Sequence, residues 1–490
     1  MENLSKKVKH GIKWQVIANI VSQAIYFVNG IVLARILMPK DFGLYGMAII
    51  LSGFVAVFWQ LGISSAIIQR KEISDKHLNT AFTIGLMMGF LCFMIIWVVA
   101  PYLALFFKEP SITLIARLIG LTFIIYAFDR IPSSLLGRNM FFKNISLVGI
   151  VNPFLYGFIA IPLALMGFGP LSFAWGMVVG ALAMAIIRIY WGFRLFKWKP
   201  KILLDKEAAK NLLGFGIFIT MSGTINYLLR NIQRIITGKF LGSIDLGYFT
   251  KASNLSTQPV EKVRVNIITV LLPGFSSIQN DAKKIRDWFK KFNFFSYAIA
   301  SPVLIFFIFF PREFVVGLFG DKWLLSASIL PWLAPAVLVR VSDVYFQNIL
   351  NAIGKPYLTF AIGLFMIIPV TVGLLIAVKW GIMGIAVALF IINVISLIVN
   401  LTVMQAYKVI TIKDFIVSAF EPILISLLSC IMTYFIFQAS IAQIVMAELK
   451  LTVLLCVYGI IIASFFCYRG LVKSYIGYLG FDIKKVIKIW

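Results

Sequence analysis

Charged side chains make up only 13% of this 490-residue chain, where a soluble domain carries about a quarter. Histidine occurs twice, at His10 and His77, which argues against a histidine-built metal centre. Cys92, Cys430, Cys456 and Cys467 sit singly inside apolar stretches with no Cys-x-x-Cys spacing. They are expected to be small core residues, not disulfides or metal ligands. No Gly-x-x-x-x-Gly-Lys-Ser/Thr loop is present to hold ATP phosphates, which speaks against an ATP-driven pump. Gly167-Phe-Gly169-Pro lies in a tight turn and lacks the strand-turn-helix context of a dinucleotide site. No segment between apolar stretches can hold a soluble domain. The longest outer loop is about a dozen residues, around Pro311 to Trp323, short for an enzyme that must hold a glycan acceptor outside the membrane.

What the chain has in abundance is apolar sequence, 61% of its residues. Runs near 20 residues long recur throughout, the length needed to cross a hydrocarbon layer of about 30 Å as a helix. Runs such as IIWVVAPYLALFF lack the apolar/polar alternation of an outer-membrane barrel. The fold class is therefore all-α and polytopic, with about fourteen transmembrane helices. Their expected starts lie near residues 12, 42, 78, 112, 144, 170, 210, 245, 292, 324, 356, 382, 414 and 449. Lys6, Lys7, Lys9 and Lys13 precede the first span without a small-residue cleavage site, so that span reads as an uncleaved helix.

Lys and Arg number 45 against 19 Asp and Glu, a net charge of +26. Of the 45, 28 fall in the termini and the loops on their side, and seven (Lys40, Lys108, Lys239, Arg312, Lys322, Lys379, Lys450) on the opposite side. The positive-inside bias places both termini in the cytoplasm. The tail from Phe481 to Trp490 sets Ile483, Val486, Ile487 and Trp490 on one helical face, as a surface-lying amphipathic helix would.

An internal repeat emerges at an offset of about 204. Arg35-Ile-Leu-Met-Pro-Lys-Asp41-Phe-Gly43-Leu-Tyr45 lines up with Lys239-Phe-Leu-Gly-Ser-Ile-Asp245-Leu-Gly247-Tyr-Phe249. Further on, Gly137-Arg138 answers Gly354-Lys355 and Gly167 answers Gly381. The expected organisation is an N-lobe of six helices (1–195), a basic cytoplasmic linker on anionic headgroups (196–210) and a C-lobe of helices 7–12 (211–410). Helices 13 and 14 (411–470) and an amphipathic tail (471–490) complete it.

The remaining ten cations lie within spans, opposed there only by Asp129, Glu261, Asp343 and Glu421. Intramembrane charges are costly and usually face a wet cavity or a partner. Arg35, Arg117 and Arg188, near span ends, are expected to snorkel to an interface. In the first span Asn19, Gln23, Tyr26 and Asn29 or Gly30 form a polar stripe at three- and four-residue spacing. The repeat-equivalent stripe of the seventh span is cationic, Gly223, Tyr227, Arg230 and Arg234. The eighth continues it with Lys251, Asn254, Gln258, Glu261 and Lys262, and Pro259 is expected to kink that helix. Two such stripes facing each other would enclose a positive cavity suited to an anion, phosphate above all. The competing reading for Arg230, Arg234 and Lys251 is structural pairing with Glu261 or buried carbonyls. Arg340 with Asp343, and Asp129 with Arg130, read as structural ion pairs.

The stretch Gly247-Tyr-Phe-Thr-Lys-Ala-Ser-Asn254-Leu, continuing through Gln258-Pro259 to Pro273-Gly-Phe275, resembles the eighth-span signature of Wzx-type polysaccharide flippases. Leu318-Phe-Gly320-Asp-Lys-Trp323 and the segment Leu33 to Tyr45 are similar to the same family, in its colanic-acid-exporter-like branch. That branch lies in the multidrug/oligosaccharidyl-lipid/polysaccharide exporter superfamily. The resemblance implies a V-shaped pair of six-helix lobes that carries an undecaprenyl-pyrophosphate-linked sugar repeat to the outer leaflet by alternating access. It further implies a multi-pass monomer of the bacterial cytoplasmic membrane, meeting membrane lipids and the polysaccharide polymerase machinery and using no cofactor beyond a proton or sodium gradient. The resemblance carries over residue by residue only at Arg35, Asp41, Gly43 and the eighth-span signature, which read as structural; on the stripe argument, Arg230, Arg234, Lys251 and Lys262 are the expected pyrophosphate ligands and Asn19, Gln23, Tyr26, Tyr227, Asn254 and Gln258 the expected sugar contacts. Glu261, Asp129 and Asp343 become candidate ion carriers, with no metal site. A drug/cation antiporter of the same superfamily is the alternative, disfavoured by the excess of basic residues in the spans. A membrane-embedded glycan polymerase or ligase is the other, disfavoured by the missing outer domain.

Overall fold

The computed structural model of the chain describes residues 2–59, 63–69, 72–213, 216–279, 281–440 and 454–463. Among the described residues the regular elements are all helical. In order they are α1 (Glu2–Ile36), α2 (Pro39–Trp59), α3 (Ile63–Gln69), α4 (Asp75–Phe107), α5 (Ser111–Arg138), α6 (Phe142–Leu165), α7 (Leu171–Phe196) and α8 (Lys206–Leu213). There follow α9 (Gly216–Ser277), α10 (Ala282–Phe309), α11 (Pro311–Phe319), α12 (Leu324–Val339), α13 (Asp343–Ala352), α14 (Pro356–Ala377), α15 (Gly381–Ala406), α16 (Ile412–Ser440) and α17 (Leu454–Ala463). Ten helical stretches of the described residues are long and apolar enough to cross a membrane.

Local chemistry sets the boundaries. Pro39, Pro311 and Pro356 open α2, α11 and α14, where a missing N–H costs nothing. Lys108 and Lys197 close α4 and α7 in the left-handed conformation, placing cations at the negative helix ends. Asp281 caps α10 by accepting from the Lys284 amide at 3.0 Å, and that bond holds the exposed carboxyl below the usual carboxylate range. The helices α1 and α10 begin ten residues before the starts expected near 12 and 292, because Lys, Arg and Glu propagate a helix as readily as Leu does. The break in α9 falls at Gly242 (φ 86°, ψ −175°), and helical dihedrals run on through Pro259, where a kink was expected. Glycine reaches that φ without Cβ strain. Cys92 and Cys430 are buried as expected, whereas Cys456 is exposed on α17 and does not belong to the core. Cys467 and the tail 471–490 lie outside the described residues.

The chain separates into two compact units, 1–247 and 248–490, the division falling inside α9 and not at the basic segment 196–210. In the first unit α4 packs on α5, α1 on α6, and α7 on both α5 and α6. In the second, α10 packs on α16 and α12, and α15 on α12 and α14. The basic segment is docked against the first unit: Lys201, Leu203 and Asp205 donate their amides to Asn79, Thr83 and Thr80 of α4. Alternate amides point the same way in an extended chain, so three polar side chains on α4 suffice to pin it. Trp198 anchors the same stretch, buried edge-on to Phe82 at 5.6 Å.

Within the first unit the repeat has a geometric signature. A Cβ on Gly43 would overlap the Ser243 carbonyl oxygen, and a Cβ on Gly247 would overlap that of Pro39. These partners are related by the repeat offset itself, so the two segments touch through equivalent atoms, as across a two-fold axis. Gly167 (φ 83°) and Gly381 (φ 65°) share a left-handed turn conformation. The match of Gly137 with Gly354 differs: Gly354 has φ 76°, but Gly137 is helical and Met140 takes the left-handed conformation in its place.

Candidate functional site

Each stripe read from the sequence divides in two. On α1, Asn19 and Gln23 are exposed, but Tyr26 accepts from Asn152 Nδ2 at 3.0 Å and Asn29 is buried, donating to the Pro153 carbonyl at 2.7 Å. Ser22, between them, donates to the Gly149 carbonyl at 2.9 Å. Pro153 has no N–H to offer Gly149 four residues back, so Ser22 supplies the donor the proline removed. Half of that stripe is thus committed to α6.

In the first part of α9, Tyr227 donates its hydroxyl to the Ile50 carbonyl at 2.7 Å and lies over Gly53, where a Cβ would meet its ring. Asn231 donates back to the Tyr227 carbonyl. Arg230, one turn before Arg234, is exposed, while Arg234 is partly covered and reaches towards Asn231 Oδ1 at 3.5 Å. The structure therefore brings Tyr227, Asn231 and Arg234 together and leaves Arg230 outward.

In the second unit Lys251 is buried, 8% exposed, with Nζ 3.8 Å from the centre of the Phe319 ring and 5.4 Å from that of Trp323. Gly320 (φ 89°) turns the chain so that both rings converge on the cation, and Tyr248 packs edge-on against Trp323. A desolvated cation over such faces gains up to about 2 kcal/mol, and this surrounding is structural in character. Asn254 and Glu261 are partly buried and Gln258 is exposed; the Lys262 side chain lies outside the described residues. Arg340 Nε stands 3.7 Å from Asp343 Oδ2, the pair its three-residue spacing implies.

The pairing expected for Asp129 with Arg130 is not formed. Adjacent helical residues point about 100° apart and cannot share a face. Asp129 Oδ2 instead meets Arg188 of α7 at 2.5 Å, so Arg188 is an ion-pair partner and does not snorkel as expected. Arg130 turns the other way, donating to the Trp59 carbonyl at 2.8 Å with its guanidinium 4.4 Å above the Trp59 ring. Arg117 likewise lies over Trp97 at 4.3 Å.

Trp59, Asp129 and Arg130 border a cavity of about 660 Å³ in the first unit, walled by α2, α3, α5 and α7. Ser52, Ser64, Thr122, Tyr126, Asp129 and Arg130 line it. The sequence reading missed this site, although Thr122, Tyr126, Asp129 and Ser133 recur at helical spacing on the fourth span and form a stripe as regular as that of the first.

Comparison with known proteins places this arrangement. The family model described as "Polysaccharide biosynthesis protein" matches residues 32–328. The teichuronic acid biosynthesis protein TuaB of Bacillus subtilis is 26% identical over 430 residues, covering 86% of this chain and 88% of its own. The lipopolysaccharide biosynthesis protein WzxC of Escherichia coli is 24% identical over 439 residues, 88% of each. Among solved structures, the lipid II flippase MurJ in an inward closed conformation superposes with a TM-score of 0.74 at 17% identity, over 94% of this chain and 99% of its own, and so shares the fold. With more than half of its length matched by the family model, the chain belongs to this family of polysaccharide biosynthesis proteins.

Proposed function

We propose that the chain is a flippase that carries an undecaprenyl-pyrophosphate-linked oligosaccharide repeat unit from the cytoplasmic to the outer leaflet for surface polysaccharide synthesis. It works by alternating access as a transporter, not an enzyme, in the bacterial cytoplasmic membrane with both termini inside. The observation that carries this reading is a fold shared with a lipid II flippase in a chain that belongs to a polysaccharide biosynthesis family. The chain acts as a monomer that hands its cargo to the polymerase machinery.

Arg230, Arg234, Lys251 and Lys262 are assigned to the pyrophosphate, with Arg230, exposed on α9, the first contact. Asn19, Gln23, Tyr26, Tyr227, Asn254 and Gln258 are assigned to sugar hydroxyls, Asn19, Gln23, Tyr26 and Gln258 being the exposed members. Coupling to a proton or sodium gradient falls to Glu261, Asp129 or Asp343. Asp129 and Asp343 stand in ion pairs with Arg188 and Arg340, which such coupling would have to open.

Translocation of the lipid-linked repeat unit in proteoliposomes tests the reading. Wild type is expected to expose the glycan to an enzyme added outside, and the Arg230→Ala/Arg234→Ala/Lys251→Ala variant to do so at least about tenfold more slowly, as loss of charge-assisted phosphate contacts implies. Unchanged flipping in the variant removes the pyrophosphate assignment. Inactive wild type removes the flippase reading, and glycan elongation favours a polymerase.

A further inference from the structure

We infer that Arg340, at a break in the span Asp321–Ala352, binds an oxyanion of the transported unit at the inner end of a water-facing track made by Gln347 and Asn351. The inference rests on the flippase reading above and brings in a cation which that reading leaves out.

The break is built into the chain. Asp321–Ala352 is one apolar stretch of 32 residues, but Arg340–Ser342 form a 3₁₀ turn between α12 and α13. The Arg340 amide closes on the Val337 and Leu338 carbonyls and not on Ala336, four residues back. Asn393 of α15 donates to the Ala336 carbonyl released in this way, at 3.0 Å. A side chain supplied to the freed acceptor stabilises the interruption, and interrupted helices in transporters sit where polar cargo is met.

Packing on the opposite side fixes how the turn is rotated. Val341, Ser342, Tyr345 and Phe346 are buried, Ser342 donating to Asn293 Oδ1 of α10 at 2.7 Å and Tyr345 to the Phe292 carbonyl at 3.0 Å. That rotation turns Arg340 outward, its side chain 45% exposed. Among the described residues its one polar side-chain contact is Asp343, 3.7 Å from Nε and too long for a hydrogen bond. Asp343 therefore offsets the charge from the Nε side and leaves the Nη1/Nη2 edge open, an edge that can take two oxygens at once.

The rest of that face is polar too. On α13 the exposed residues are Gln347 and Asn351, four apart and in line with Asp343. On α14, packed against it, exposure runs through Phe360, Leu364, Phe365, Ile368 and Ile376. There α14 faces hydrocarbon and the Arg340–Asn351 face meets water, because an arginine and two amides turned to lipid would lack partners. Snorkelling does not account for Arg340. Asn351 lies at the end of the span that the charge bias assigns to the cytoplasm, and Arg340 is eleven residues deeper, about 17 Å along the helix. Water can wet the open edge, but of the groups the cargo carries, an oxyanion alone engages both donors and offsets charge at that depth. The lipid-linked unit offers such oxygens from two sources, its pyrophosphate and the carboxylate of an acidic sugar.

The test uses the full-length chain in lipid nanodiscs. With the four cysteines replaced by alanine and one thiol returned, a charged, membrane-impermeant thiol reagent is expected to label Gln347→Cys and to leave the lipid-facing control Ile368→Cys unlabelled. Calorimetry with inorganic pyrophosphate and with glucuronate reads the site itself. Arg340→Gln is expected to weaken binding of one of them at least about tenfold, the loss of a charge-assisted pair of hydrogen bonds. The double variant Arg340→Gln/Asp343→Asn leaves no unpaired charge and gives the same reading if Arg340→Gln alone fails to fold. An Arg340-dependent affinity for pyrophosphate assigns the residue to the phosphate end, and one for glucuronate alone assigns it to an acidic sugar. An unlabelled Gln347→Cys overturns the track, and affinities for both probes that are unchanged in the Arg340 variants overturn the site. Arg340-dependent binding in a chain that does not translocate the lipid-linked unit leaves the oxyanion site standing and removes the flippase reading.

Discussion

The two units each bury charge and each carry a hollow, and they do so with opposite chemistry. In the first, Asp129 and Arg130 sit at a polar cavity, one held by Arg188 and the other by the carbonyl and ring of Trp59. In the second, Lys251 is wrapped by the rings of Phe319 and Trp323, and an open groove of about 490 Å³ between α14 and α15 is lined by apolar residues such as Gly373, Trp380, Gly384 and Ile391. Polar side chains border the hollow of the first unit, whereas Lys251 of the second is packed like a core residue.

The largest effect that would break this contrast lies at the Asp129–Arg188 pair. Arg188→Met leaves a buried carboxylate without its counter-ion, which in comparable settings costs about 3–5 kcal/mol. Thermal unfolding in detergent should show a drop of that order, and the double variant Asp129→Asn/Arg188→Met should recover most of it, because no uncompensated charge remains. Additive losses would mean that the two side chains act independently and that the first unit does not depend on the pair.

Next in size is the reciprocal contact of the repeat. Gly43→Ala and Gly247→Ala each push a methyl into a carbonyl oxygen, and the overpacking is expected to cost about 1–3 kcal/mol at either position. Because the two contacts are equivalent, the costs should agree within about 0.5 kcal/mol, unlike the cations, whose surroundings differ. A large cost at one glycine and none at the other would show that the halves have diverged even in their closest packing.

The sequence revealed some levels of this molecule and hid others for physical reasons. Apolar length and proline or glycine punctuation announce where helices begin, so α5, α6, α7, α14 and α15 start within a few residues of expectation. The Asp41-Phe-Gly43 match with Asp245-Leu-Gly247 pointed to positions that meet in space, because close backbone approach admits only glycine. Partner choice was hidden, since it depends on rotation about the helix axis and on which neighbour lies across: Asp129 passed over Arg130 for Arg188, 59 residues away. Tyr26 and Asn29 belonged to a visible polar stripe, yet whether such a stripe faces a cavity or a proline-gapped carbonyl ladder on α6 cannot be read from spacing. Thr122, Tyr126 and Ser133 stand at helical spacing in the sequence, but neutral hydroxyls cost little in an apolar span and so mark no cavity by themselves.

The smallest effect on stability, and the sharpest on the contrast, is expected at Lys251. Replacing it by methionine keeps an unbranched stem against Phe319 and Trp323 and exchanges a cation–ring contact for a sulfur–ring contact. The two contacts are of similar strength, and the variant loses the desolvation of a buried ammonium, so unfolding should stay within about 1 kcal/mol of wild type. Translocation of the lipid-linked unit then separates the two roles of the residue. A stable Lys251→Met chain whose half-saturating substrate concentration rises several-fold keeps Lys251 among the pyrophosphate ligands and brings charge recognition into the second unit. One that flips at the wild-type rate and affinity confines Lys251 to packing and takes it out of the pyrophosphate assignment.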